Sequence, residues 1–135
     1  MSKIIYVCFK DPSQCNSSIV KKLETIAKRL VPDNYTPRPP KIASNGHVIY
    51  GIINPADSIE ELGNSVLMGM AFGVHENWWE PGGAIPDGSY SIFRSNNEYT
   101  EILSDVVGSR TVWYYHNEDV FIASSSQRAI VSLLG

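Results

Sequence analysis

Asp87-Gly-Ser-Tyr-Ser-Ile-Phe93, Asp105-Val-Val-Gly-Ser-Arg-Thr-Val-Trp-Tyr-Tyr115 and Phe121-Ile-Ala-Ser-Ser-Ser-Gln-Arg-Ala-Ile-Val-Ser-Leu-Leu134 fill most of the last third of the chain, and their reading decides the fold. The first two are rich in β-branched and aromatic residues, and the third passes from strand to helical periodicity near Ser126. Strands are predicted at about 89–94, 99–107, 110–116 and 119–124, with hairpin turns at Ser95-Asn96-Asn97 and Asn117-Glu118-Asp119. An amphipathic helix over 126–134 follows, packing through Ala129, Ile130, Leu133 and Leu134.

Working back toward the N-terminus, Gly73 to Asp87 reads as a long loop with Trp78-Trp79 at its centre and Pro81-Gly82-Gly83 behind. Two adjacent tryptophans do not easily enter one core from a loop, so at least one is expected at the surface or at an interface; the alternative is that both cover a sheet edge of this domain. Ser65 to Phe72 and His47 to Ile53 read as strands, and Ser58-Ile-Glu-Glu61 has the spacing of a capping box, which predicts one helical turn. Residues 32–46 hold four prolines and read as extended loop. Ile19, Val20, Leu23, Ile26, Ala27 and Leu30 share one helical face, started by a cap at Asn16, Ser17 or Ser18 and stopped by Pro32. Ile4 to Phe9 is a buried strand ending at Asp11-Pro12. About seven strands with one early and one late helix give an α+β class.

The 135 residues are enough for a single domain spanning 1–135 that buries about two thirds of its unfolded surface without disulfides or metals. A net charge of −3 offers no electrostatic reason to bind nucleic acid or an anionic membrane. The apolar run between Lys3 and Lys10 is too short for a signal peptide, and no run approaches the roughly 18 residues of a membrane helix. Cys8 in an apolar run and Cys15 in a polar loop do not form an obvious disulfide pair, which favours a cytoplasmic setting.

The order and spacing of Asp87, Gly88, Asp105, Gly108, Arg110, Tyr114, Tyr115, Phe121, Ala123, Ser124 and Ala129 resemble the end of the glutaminase domain of asparagine synthetases, with its D-G-x-(F/Y), D-x-x-G-x-R-P-L-Y-Y and F-A-S-E-x-K-A-L-L strings. The resemblance runs from Asp87 to Leu134. It implies a class II glutamine amidotransferase domain with an N-terminal-nucleophile-hydrolase-like αββα sandwich of two antiparallel sheets, here reduced in helices. The matching residues are scaffold: Gly108 is a tight turn, and Arg110 is expected to pair with Asp105 across it. In the family, the D-x-x-G-x-R strands and the F-A-S-E passage build the second sheet and its cover.

The family chemistry needs a cysteine directly after the initiator Met, an arginine fork for the glutamine carboxylate, an Asn-Gly oxyanion hole and an aspartate for the ammonium group. This chain carries Ser2 at the nucleophile position, and a hydroxyl ionises far less readily than a thiol. Arg38 is the remaining candidate for the fork and Asn45-Gly46 for the oxyanion hole, each in a poor context: Arg38 among prolines, Asn45-Gly46 ahead of a strand where a plain turn is expected. The aspartate segment is replaced by the Trp78-Trp79 loop. The S-G-G-x-D-S loop that handles ATP in the synthetase domain is missing, so Gly135 reads as a boundary ahead of such a domain.

These readings imply a pseudoenzyme: an amidotransferase-like domain degenerate in glutamine hydrolysis, with a structural or gating role for an ATP-dependent amide-forming synthetase domain in cis or trans, in the setting of asparagine biosynthesis. Two rivals stand beside it. One is an active N-terminal-nucleophile amidohydrolase that uses Ser2 on glutamine. The other is a self-standing binding module using the 73–87 loop, with Trp78 and Trp79 at its interface. No cofactor and no metal are expected, since His75-Glu76 lacks a second ligand at metal spacing, and a homodimer is left open.

Overall fold

Ile4-Ile-Tyr-Val-Cys8 is apolar at successive positions, not only at alternate ones, as expected for a strand covered on both faces. In the computed structural model this segment lies in β1 (Lys3–Phe9), the middle of a five-stranded antiparallel sheet, and residues 4–8 are all buried. The structure describes residues 3–29, 40–53, 59–72, 78–83, 87–96, 99–104 and 112–134. They form α1 (Ser17–Arg29), β2 (Lys41–Asn45), β3 (Val48–Ile53), β4 (Ile59–Leu62), β5 (Ser65–Phe72), β6 (Asp87–Ser95), β7 (Thr100–Ser104), β8 (Trp113–His116), β9 (Val120–Ser124) and α2 (Gln127–Leu134).

Two compact units emerge, one of Met1–Ala56 with Trp113–Gly135 and one of Asp57–Val112. The first holds the sheet β2-β3-β1-β9-β8 and both helices, the second the sheet β4-β5-β6-β7. All pairings are antiparallel. The molecule is therefore mixed α+β with two antiparallel sheets, and no described helix is long and apolar enough to cross a membrane.

In the first unit α1 places Leu23, Ile26 and Ala27 against Ile5, Val7, Ile49, Ile53 and Ile122, and α2 adds Ala129, Ile130 and Leu133 to the same cluster. Each fully buried Leu or Ile contributes about 1.5–3 kcal/mol. Asn16 caps α1: its Oδ1 accepts the N–H groups of Ser18 (3.0 Å) and Ile19 (3.3 Å). On the other face of β1, Tyr6 stacks on Tyr50 with centroids 5.8 Å apart.

Several expectations need correction. Nine strands form among the described residues in place of seven. Lys41–Asn45 is strand β2 where extended loop is expected; the rest of the proline-rich segment up to residue 39 lies outside the described residues. Ile59–Leu62 is strand β4 and not a helical turn, because Leu62 pairs with Ser65 across a Gly63-Asn64 hairpin whose glycine takes φ +60°. A two-residue hairpin with a left-handed glycine fixes the preceding residues as extended. The strands of the last third do not all enter one sheet: β6 and β7 belong to the second unit, whereas β8 and β9 extend the sheet of β1. Asp105, Gly108 and Arg110, and with them the expected ion pair, lie outside the described residues.

Ser124-Ser125-Ser126, the passage from β9 into α2, grips the start of β1. The Ser124 hydroxyl donates to the Ile4 carbonyl, Ser125 N–H donates to the same oxygen (3.2 Å), and Ile4 N–H donates to Ser125 Oγ (3.0 Å). Ser124 Oγ also accepts from Ser126 N–H (2.9 Å), and Ser126 Oγ accepts from Ala129 N–H (3.4 Å) as the cap of α2. Ser124 is fully buried. Ser124→Ala is therefore expected to cost about 1–2 kcal/mol in urea unfolding, because Ser126 N–H loses its acceptor; an unchanged midpoint would show that the passage does not hold β1.

Candidate functional site

The strand register decides which of the sequence candidates can meet. Ser2 and Arg38 lie outside the described residues. Lys3, which follows Ser2, pairs with Ile53, while Cys8 pairs with Val48 and Phe9 N–H donates to the His47 carbonyl (2.8 Å). The turn carrying Asn45 and Gly46 thus sits at the opposite end of β1 from Lys3. Six residue steps along the strand, from Lys3 to Phe9, separate the two ends, about 20 Å. Asn45 is exposed and Gly46 takes φ +62°, the geometry of a hairpin turn. Oxyanion donors must stand about 3 Å from the reacting oxygen, so this turn cannot serve a nucleophile at the Lys3 end of β1.

Neither thiol offers an alternative nucleophile. Cys8 is buried in mid-strand, and Cys15 is half-buried with its thiol pushed up by burial and by the neighbouring Cys8, so it is held in the unreactive form. Among the described residues no three His, Cys, Asp or Glu side chains converge at metal-binding range. An open groove of about 390 Å³ between α1 and β2 is lined by Val20, Glu24, Lys28, Pro40 and Ile42, a set without a hydroxyl or thiol.

The second unit holds the most developed polar constellation, centred on Arg94. The side chain is 1% exposed. Its Nε donates to Glu101 Oε1 (2.6 Å) and its Nη2 to the same oxygen; Nη1 reaches the Trp78 carbonyl (3.3 Å) and Nη2 the Gly83 carbonyl (3.4 Å). Gly82 N–H also donates to Glu101 Oε1 (3.3 Å), and Ser65 Oγ donates to the Trp79 carbonyl (2.7 Å). These bonds pin residues 78–83 onto the sheet. Partial burial alone raises the Glu101 carboxyl, but the hydrogen bonds from Arg94 and Gly82 and the guanidinium charge outweigh it and hold the group below the ordinary glutamate range. With four internal bonds to protein acceptors, the guanidinium acts as a latch and not as a fork open to substrate.

The pinned loop directs Trp78 inward. Its ring is 5% exposed and packs with Leu67, Tyr90 and Ile92, while Trp79 is partly buried against the same cluster, edge-on to Trp78 with centroids 6.2 Å apart. Trp78 is thus a core residue of the second unit and presents no ring to a partner. Arg94 is not among the residues expected from sequence to bind anything, although a signal exists: it follows Tyr90 and Ile92 on one face of β6 and stands opposite Glu101 in the hairpin register. Compared with protein-family models, curated proteins and solved structures, the chain matches none.

Two outcomes follow. Trp78→Ala should destabilise the protein by about 3 kcal/mol or more and Trp79→Ala by about 1, measured by thermal or urea unfolding; equal and negligible effects would place Trp78 outside the core. Glu101→Gln leaves the buried Arg94 without its counter-charge and should cost about 2 kcal/mol, a figure reduced because the carboxylate is 38% exposed. Since the folded carboxyl titrates below its unfolded value, this contribution is complete above about pH 4.5 and is lost as pH falls through the lower folded value. The stability gap between wild type and Glu101→Gln should accordingly close on acidification, and a gap that stays constant to pH 3 would count against the latch.

Proposed function

We propose that the chain is an amidotransferase-like domain of the N-terminal-nucleophile type that does not hydrolyse glutamine and serves an ATP-dependent amide-forming synthetase domain, in cis or in trans, as a structural or gating element. Support for the scaffold half of this reading comes from topology. The N-terminal strand occupies the centre of its sheet between β3 and β9, and the Phe121–Ser126 passage binds its first residues. That arrangement suits a fold whose chemistry starts at the N-terminus.

The single observation that carries the inactive half is the placement of Asn45-Gly46 at the Phe9 end of β1. Acyl transfer from glutamine needs the nucleophile, its base and the oxyanion donors around one carbonyl carbon. A Ser2 hydroxyl would need a rebuilt site to replace a thiolate, and the only Asn-Gly pair of the sequence is at the wrong end of the strand to belong to it.

The domain incubated with glutamine should release ammonia no faster than a heat-denatured control. Turnover that disappears in Ser2→Ala would establish the rival reading, a live N-terminal-nucleophile amidohydrolase, and mass analysis of the N-terminus would then have to show Met1 removed.

A further inference from the structure

Among the described strands β8 is the sheet edge least protected by charge, and its composition points to what covers it. Four described strands form sheet edges: β2 and β8 in the first unit, β4 and β7 in the second. β2 carries Lys41 and β4 carries Glu60 and Glu61, and charge on an edge discourages pairing with another chain; on β7, Glu101 is held in the Arg94 latch with residues 78–83. Trp113-Tyr114-Tyr115-His116 carries no acidic or basic residue other than one histidine, and all four residues are exposed. Trp113 is 43%, Tyr114 69% and Tyr115 37% open.

We propose that β8 is a self-association edge, through which two copies of the chain join their five-stranded sheets by antiparallel pairing centred on Tyr114. Charge argues for a second copy. A two-fold pairing sets each edge residue against itself or a near neighbour, so an edge that carries Glu60 brings like charges together, whereas β8 has no acidic residue and no Lys or Arg to do so. Glu118 and Asp119 follow β8 at one end only. Antiparallel pairing puts the two acidic turns at opposite ends of the joint, away from each other.

Backbone geometry limits the register. Asn117 N–H donates to the Val120 carbonyl (3.0 Å), so alternation directs Tyr115 and Trp113 toward β9 and leaves the N–H and C=O groups of Tyr114 and His116 facing outward. Residues opposed across an antiparallel joint point to the same face, which restricts pairing to positions of equal parity. Centring on Tyr114 makes that residue exchange hydrogen bonds with its own copy and sets Trp113 against Tyr115. Tyr114 already stacks on His116 and Phe121, both at 6.3 Å, so its ring meets the second copy partly ordered. The three large rings offer about 300 Å² per copy, and with the backbone edge the joint covers on the order of 1,000 Å², the lower limit for a specific interface. An interface at that limit is of the weak, transient kind, so the series is run to high chain concentration.

Sedimentation velocity of the full chain from about 5 to 500 µM tests this. Wild type should move from monomer to dimer across the series. Tyr114→Glu and Tyr114→Lys, whose fold is checked by circular dichroism and melting at the lowest concentration, should each weaken association at least about tenfold by setting like charges in register. An equimolar mixture of the two variants should regain the dimer, because the introduced charges then oppose each other on facing strands. Wild type that remains monomeric throughout, or a variant that dimerises as wild type does, overturns the proposal; a mixture that stays monomeric overturns the Tyr114-centred pairing.

Discussion

The first unit depends on holding the earliest strand of the chain between two partners that are synthesised at very different times. β1 meets β3 about forty residues later and β9 only near the C-terminus, and the bonds between Ile4 and the serine passage span 120 residues or more. Closing so long a loop costs only a little more free energy than closing a short one, since the penalty grows as the logarithm of length. The consequence is kinetic: the sheet cannot be completed before β9 and α2 are available, and nonlocal pairing of this kind folds slowly. Burial on both faces then explains why β1 tolerates no polar residue between Lys3 and Lys10 and why Cys8 is there as an apolar filler.

In the second unit the equivalent constraint is a charge. Burying a guanidinium costs several kcal/mol unless its donors are met, and Arg94 meets them with one carboxylate and two carbonyls from the segment it pins. Lysine could not replace it, because a single ammonium cannot hold Glu101, Trp78 and Gly83 in a planar fork. The polar latch and the Trp78 ring act on the same six residues, one by direction and the other by buried area. Neither alone would hold a segment with two glycines and a proline in one conformation.

Elements with a complete apolar period were legible in the sequence: β1, α1, β3, β5 and α2 stand close to where periodicity puts them. Elements whose stability comes from a neighbour were not. β2 is half polar and exposed, with a proline-rich approach, and it exists because β3 offers an open edge. At β4 the capping-box spacing of residues 58–61 competes with the Gly63-Asn64 hairpin, and pairing with β5 decides the outcome. Asn45-Gly46 was legible as a turn; which end of β1 it adjoins depends on the β1–β3 register, which no local pattern states. Arg94 was hidden for the same reason: a lone arginine in a strand reads as solvent-facing until the covering segment is known to come from residues 78–83.

The residues from Asp87 to Leu134 that carry the family resemblance divide between the two sheets, with β6 and β7 in one and β8 and β9 in the other. A string of this kind records the order in which strands are laid down, and its buried Ala123 and its Ser124 are accounted for by packing and by the grip on Ile4. Tyr114 and Tyr115 belong to the same string, and packing accounts for them only in part: Tyr114 stacks on His116 and Phe121 yet stays 69% exposed, and Tyr115 is 37% exposed. Side chains that lower solubility without filling a core impose a cost on the free chain. The large apolar side chains that the described scaffold leaves most exposed in this string are thus on β8, at the edge of the sheet that the N-terminal strand organises, and they, more than the Asn45-Gly46 turn, lack a full account in packing.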